Sequence, residues 1–184
     1  MVNPLLERAP PKAFAERGQI IEKQEKLELF PRLSEVVGDD LRRLDAPPAG
    51  WRQSPVAIRL AFGWADTQRE LPVLEGHVTA EVPAVCQRCL EPLALTLDTD
   101  LRLLFSGPGR SADESLDYAV WELDEAVLRP LDVVDEALVM AMPLAAMHES
   151  EENCGRLAEQ AKVEKEEAQV RPFADLKSQM RDRD

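Results

Sequence analysis

Apolar residues recur at every second position through the middle of the chain and at every third or fourth position on either side of it. The longest alternation is Val78–Phe105. Val78, Ala80, Val82, Ala84 and Cys86 share one face, and so do Leu93, Leu95, Leu97, Thr99, Leu101, Leu103 and Phe105. Period two over that length predicts two half-buried strands. The turn between them carries Cys86-Gln87-Arg88-Cys89-Leu90-Glu91-Pro92. Val56, Ile58, Leu60 and Phe62 predict another strand. Leu71–Cys86 predicts one strand or two, broken near Gly76, and Leu116–Leu123 alternates again. In residues 19–30, Ile21 and Leu27–Phe30 predict an edge strand, with Glu22, Lys23, Glu25 and Lys26 suited to a solvated edge.

Helical spacing flanks these strands. Pro10-Pro11 ahead of Lys12–Arg17, with Gly18 behind, predicts one or two helical turns. After Pro31, the residues Leu33, Val36, Val37, Leu41 and Leu44 make one apolar stripe, which Gly38 interrupts. Val133, Val134, Ala137, Leu138 and Ala141 predict a helix over Asp132–Met142 that ends before Pro143. Asp132 is its expected N-cap, and Asp135 and Glu136 sit near the positive end of its dipole. The expected fold is α+β. It is a curled, mostly antiparallel sheet or a small β-barrel with flanking helices and a charged, partly disordered C-terminal tail. The expected units are an arm over 1–18, one domain over 19–154 and a tail over 155–184. In the tail, Phe173, Leu176 and Met180 form a short amphipathic segment able to dock on a partner.

Composition narrows the partners. The 184 residues hold 35 acids against 22 bases, a net charge of −13. That charge disfavours loose adhesion to nucleic acid or anionic membrane, although a local basic patch could still exist. No apolar run approaches the roughly 20 residues that span a bilayer. Met1–Ala9 lacks the charged-then-apolar order of a secretion signal. A cytoplasmic protein with neither a membrane nor a DNA partner is expected. Three cysteines make a poor disulfide framework, so thiol or metal-bound states are favoured.

The chemistry on offer centres on Cys86 and Cys89. With His148 and Cys154 they supply the four ligands of a Cys3His structural zinc site. Free structural thiols are the commoner reading of such cysteines, with the zinc site second and a redox pair last, because redox C-x-x-C pairs open helices and this one joins strands. No Gly-x-Ser-x-Gly elbow and no phosphate loop with its lysine occurs. A thiol- or metal-dependent enzyme centred on this turn is the second reading, after a non-enzymatic one. Arg88 and Gln87 at the turn, with Trp51 and Arg52 in a preceding loop, are candidate RNA or partner contacts.

Four ordered motifs carry a resemblance. They are Val85-Cys86-Gln87-Arg88-Cys89-Leu90-Glu91-Pro92-Leu93, then Pro130–Leu138, then Pro143–Cys154 with His148-Glu149-Ser150 inside it, and finally Arg171-Pro172-Phe173-Ala174-Asp175-Leu176-Lys177. Together, from about Phe14 onward, the chain resembles the YceD family, the bacterial large ribosomal RNA subunit accumulation proteins. The resemblance implies a cytoplasmic ribosome biogenesis factor needed for 23S rRNA synthesis, processing or stability. Its implied partners are 23S rRNA or its precursor, directly or through proteins, and large-subunit ribosomal or rRNA-processing proteins. It implies no catalytic residues. Some relatives carry further cysteines after the helix, in a form that looks like a full zinc ribbon. This chain has His148 and a single Cys154 there.

Overall fold

The structure is a computed structural model that describes residues 3–106, 117–123 and 126–155. Helix α1 spans Pro11–Glu16, β1 Ile20–Lys26, α2 Pro31–Leu41, β2 Pro55–Trp64, β3 Pro72–Val85, β4 Pro92–Ser106, β5 Ala119–Glu122 and α3 Pro130–Ala141. The strands form one sheet in sequence order. The first three pairings are antiparallel, and β5 runs parallel to β4. No described strand joins β1 to β5, so of the two expected forms the sheet takes the open one.

One face of the sheet is covered and the other is wet. Along β2 burial alternates, with Val56, Ile58, Leu60 and Phe62 inside and Ala57, Arg59 and Ala61 outside. The inward residues meet Leu33, Val37 and Leu41 of α2 and Leu131, Val134 and Leu138 of α3 in a single core. Phe14 of α1 stacks on Phe62 at 4.8 Å, and Phe62 lies 6.4 Å from Phe105. Each of these large side chains contributes about 1.5–3 kcal/mol when fully buried. Residues 3–18 join this core through Leu5 and Phe14. Ala9 and Leu128 exchange backbone hydrogen bonds at 3.1 and 2.8 Å. On the wet face His77 holds Asp100 at 2.9 Å.

Several local expectations shift. β1 stops at Lys26, and Leu27–Leu29 turn as a 3-10 helix that buries Leu27. β3 runs unbroken through Gly76. A Cβ there would come within 2.6 Å of the Arg59 carbonyl oxygen, so the glycine permits close strand approach rather than ending the strand. α2 likewise continues through Gly38, and the Trp51 ring fills the space beside it, 3.7 Å from where a Cβ would stand. Asp132 does not cap α3. Proline starts the helix at Pro130, which puts Asp132 inside the first turn, bonded to Arg129.

Asp135 does not serve the dipole of its own helix either. It is 3% exposed, and its carboxylate accepts from the amides of Arg32 at 3.0 Å and Leu33 at 2.9 Å. Those are two of the unpaired amides that open α2. Pro31 contributes no N–H, and Phe30, at the cap position, offers no side-chain acceptor. A residue of α3 thus caps α2 and fixes how the two helices cross. The Arg32–Glu136 ion pair lies beside this contact.

Candidate metal centre

The turn between β3 and β4 folds on its own backbone. Cys86 donates its N–H to Glu91 at 2.9 Å, and Leu90 donates to the Cys86 carbonyl at 2.8 Å. Leu90 takes the left-handed conformation, φ +59°, which lets the chain reverse within a few residues. Asp40 of α2 accepts from the Val85 amide at 2.7 Å and so fixes the strand end that leads into Cys86.

The chain beyond α3 comes back to this turn. Gln87 donates its N–H to the carbonyl of buried Ala146 at 2.9 Å. This brings His148 and Cys154 to Cys86 and Cys89, so the four candidate ligands converge, their ligand atoms all within 4.8 Å of one another. The His148 Nδ1 lies 3.5 Å from the Cys89 sulfur and 3.7 Å from the Cys154 sulfur. Tetrahedral zinc with ordinary Zn–S and Zn–N bonds places sulfur and nitrogen about 3.6 Å apart. The donor set and its spacing therefore fit a Cys3His metal site. The three cysteines are buried and no disulfide joins them.

The electrostatics favour the thiolate at Cys86 and the thiol at Cys154. Burial raises the Cys86 pKa, but N–H groups of Cys89, His148 and Arg88 and the Cys89 thiol outweigh it and bring it down to about 6. Burial pushes Cys154 upward, opposed by the guanidinium of Arg88 and reinforced by its two sulfur neighbours.

Arg88 is not displayed at the tip, where the sequence alone would put it. Its Nε lies 3.0 Å from the Cys154 sulfur, and it donates to the carbonyls of His148 and Ser150, each at 3.0 Å. Glu151 lies 3.8 Å away. The side chain is a strap across the ligand cluster. Gln87 stays exposed beside it. Trp51 and Arg52 lie in a separate 3-10 helix, Trp51–Gln53, with the Arg52 guanidinium stacked 4.5 Å over the Trp51 ring. Trp51 borders a cavity of about 420 Å³ against Pro83 and Pro92–Ala94 of the hairpin. Phe173, Leu176 and Met180 lie outside the described residues. Asp40 and Ala146 went unnoticed in the sequence. Each acts on a distant element, and neither leaves a local periodic signal. No described helix is long and apolar enough to cross a membrane.

Comparison with known proteins points to the same family. A relative from Haemophilus influenzae, "Large ribosomal RNA subunit accumulation protein YceD", is 32% identical over 100 residues. That match covers 53% of this chain and 56% of the relative, so it spans about half the length of either. No solved structure matches the chain. The family model described as "Large ribosomal RNA subunit accumulation protein YceD" matches residues 74–178, from near the start of β3 through the hairpin turn, α3 and both remaining candidate ligands, and by that match the chain belongs to the YceD family.

Proposed function

We propose that this protein is a non-enzymatic ribosome biogenesis factor that supports accumulation of 23S rRNA, and that a structural zinc ion clamps its β3–β4 hairpin to the segment after α3. The observation that carries the reading is the closed ligand set: four protein ligands, three of them buried, with ligand atoms within 4.8 Å. Four protein ligands fill a tetrahedron. A catalytic zinc keeps one position for water or substrate. Cys86, Cys89, Cys154 and the Nδ1 of His148 would hold the ion. Zinc with three thiolates carries one net negative charge, and the Arg88 guanidinium beside Cys154 offsets it.

Arg88 is then a positioning residue for the clamp. Arg88→Gln should keep the fold and still bind zinc, but with affinity lowered about 10- to 100-fold, as for other partners of metal ligands. Competition with a chromophoric chelator measures this. Unchanged affinity would leave Arg88 a surface residue with no part in the site.

Charge distribution favours reaching the RNA through a basic protein. The described residues hold 24 acids against 14 bases, whereas residues 156–184 hold seven of each. Ten of those 14 bases are tied to a carboxylate or, for Arg88, to a thiol. Phosphate binding needs several free cations on one face. Arg8, Lys12, Arg52 and Arg69 are what the described residues leave for it.

The test is a deletion in the bacterium that carries the gene. The ratio of mature 23S to 16S rRNA should fall on deletion. The wild-type gene should restore it, and the Cys86→Ser gene should not. A ratio that deletion leaves unchanged overturns the proposal.

A further inference from the structure

We infer that the surface formed by the end of α3, the chain after it and α2 is the docking site for a basic protein segment that inserts an apolar side chain. This rests on the reading of the protein as an acidic factor that acts through a basic partner. The centre of the surface is a cavity of about 440 Å³. Val36 of α2 and Met142, Pro143 and Leu144 give it apolar walls. Leu144 is fully exposed, and Met140 and Met147, on either side of it in the chain, are 77% and 55% exposed. Three of the chain's five methionines thus fall within eight residues. Methionine is a flexible, polarizable side chain that adapts to a partner's shape. Exposed apolar residues concentrated in this way mark interaction sites more often than solvent-facing chance.

The apolar strip is held in place. It connects α3 to the ligand cluster, and Ala146 is pinned by the Gln87 amide at 2.9 Å. Arg88 fixes the carbonyls of His148 and Ser150 just beyond. A rigid strip loses little conformational entropy on binding. The clamp therefore has a task besides stability, which is to present Leu144 and Met147 in one arrangement.

The charge around the strip selects the occupant. Glu35 adjoins Val36, and Glu149 and Glu152 follow Met147; all three are exposed and have no partner among the described residues. Asp39, Asp40 and Arg43 line the cavity, and there the charges are answered within the chain, Asp39 by Arg42 and Asp40 by Arg43. The open charges that flank the apolar residues in the chain are thus negative. A second copy of this acidic chain would bring like charge to them, and RNA would bring phosphate. A protein segment with lysines or arginines around one apolar anchor matches both the cavity and these charges.

A photoreactive benzoylphenylalanine placed at Leu144 in the full chain, in living cells, tests this. Its control is the same group at Arg59 on the wet face of the sheet. Leu144 should crosslink to an identified basic protein of the large ribosomal subunit, and Arg59 should not. That protein, purified, should bind Leu144→Ser/Met147→Ser at least tenfold more weakly than wild type. It should also bind Glu149→Gln/Glu152→Gln several-fold more weakly, with a shallower salt dependence. Capture of rRNA, of a second copy or of the chain's own residues 156–184 overturns the inference. So do the absence of a specific crosslink and unchanged affinity of the Leu144 variant. The deletion experiment separates this from the function. If 23S rRNA depends on the protein while Leu144 captures no basic protein, the surface assignment falls alone. If deletion leaves the rRNA ratio unchanged, the proposed function falls.

Discussion

Cys86→Ser should come from purification with less than about a tenth of an equivalent of zinc, where the wild type carries about one. Its melting temperature should lie about 10 °C or more below that of the wild type. Zinc bound about a thousandfold above its dissociation constant adds roughly 4 kcal/mol to folding, and a domain near 150 residues moves about 2–4 °C per kcal/mol. Cys86 is fully buried, so the substitution also disturbs packing. A chelator separates the two effects. Treatment of the wild type should lower its melting temperature by most of the same amount, while the treated variant should not move. Wild type that carries no zinc, or that melts identically with and without chelator, would end the clamp. The ligand cluster is local: Cys86, Cys89 and Cys154 form a buried cluster separate from the main core. Loss of the metal should therefore loosen residues 143–155 and the turn first, before the sheet unfolds.

Asp135→Ala should be the most damaging substitution away from the metal ligands. It removes two hydrogen bonds to a buried carboxylate, at 3.0 and 2.9 Å, and leaves the amides of Arg32 and Leu33 without an acceptor. Hydrogen bonds to a charged group contribute about 1.5–3 kcal/mol each, and a lost helix cap costs about 0.5–2 kcal/mol. The two estimates overlap, and about 3 kcal/mol is the expected total, or roughly 6–12 °C in melting temperature. Asp135→Asn keeps one acceptor oxygen and should lose about half as much. Thermal and urea unfolding measure both. A loss under about 1 kcal/mol for the alanine variant would mean that the contact does not hold α2. Zinc content should stay near one equivalent in both, because the Asp135 carboxylate bonds to α2 and to none of the candidate ligands.

Much of the fold was legible because the patterns were long. Seven alternating residues from Leu93 to Phe105 leave little choice but a strand, and the β2 alternation maps onto burial residue by residue. The stripe on α2 placed Leu33, Val37 and Leu41 correctly in the core and Val36 wrongly, because the helix buries a narrower arc than the stripe spans. The four metal-ligand candidates could be named from residue type and spacing, and they converge. The role of Arg88 could not be read in this way. A side chain between two cysteines looks like the most exposed point of a turn. Here the returning segment supplies carbonyls and a sulfur that turn it inward. Asp135 defeated sequence reasoning for a similar reason. An acid in the first turns of a helix normally answers that helix's dipole, and only the packing of α3 against α2 reveals that it serves another.

The ligands of the clamp come from two places far apart in the chain, with Cys89 and His148 separated by 59 positions. During synthesis the hairpin with Cys86 and Cys89 is complete long before His148 and Cys154 exist. Until then two thiols offer an ion only half a tetrahedron, and a long loop remains to be closed at an entropic cost of (3/2)RT ln n, about 4 kcal/mol. A full site appears only once α3 has been made and has delivered the segment behind it. In the proposed clamp, metal capture would therefore come after α3 and the segment behind it are made, and a bound ion would report that both halves of the site have met.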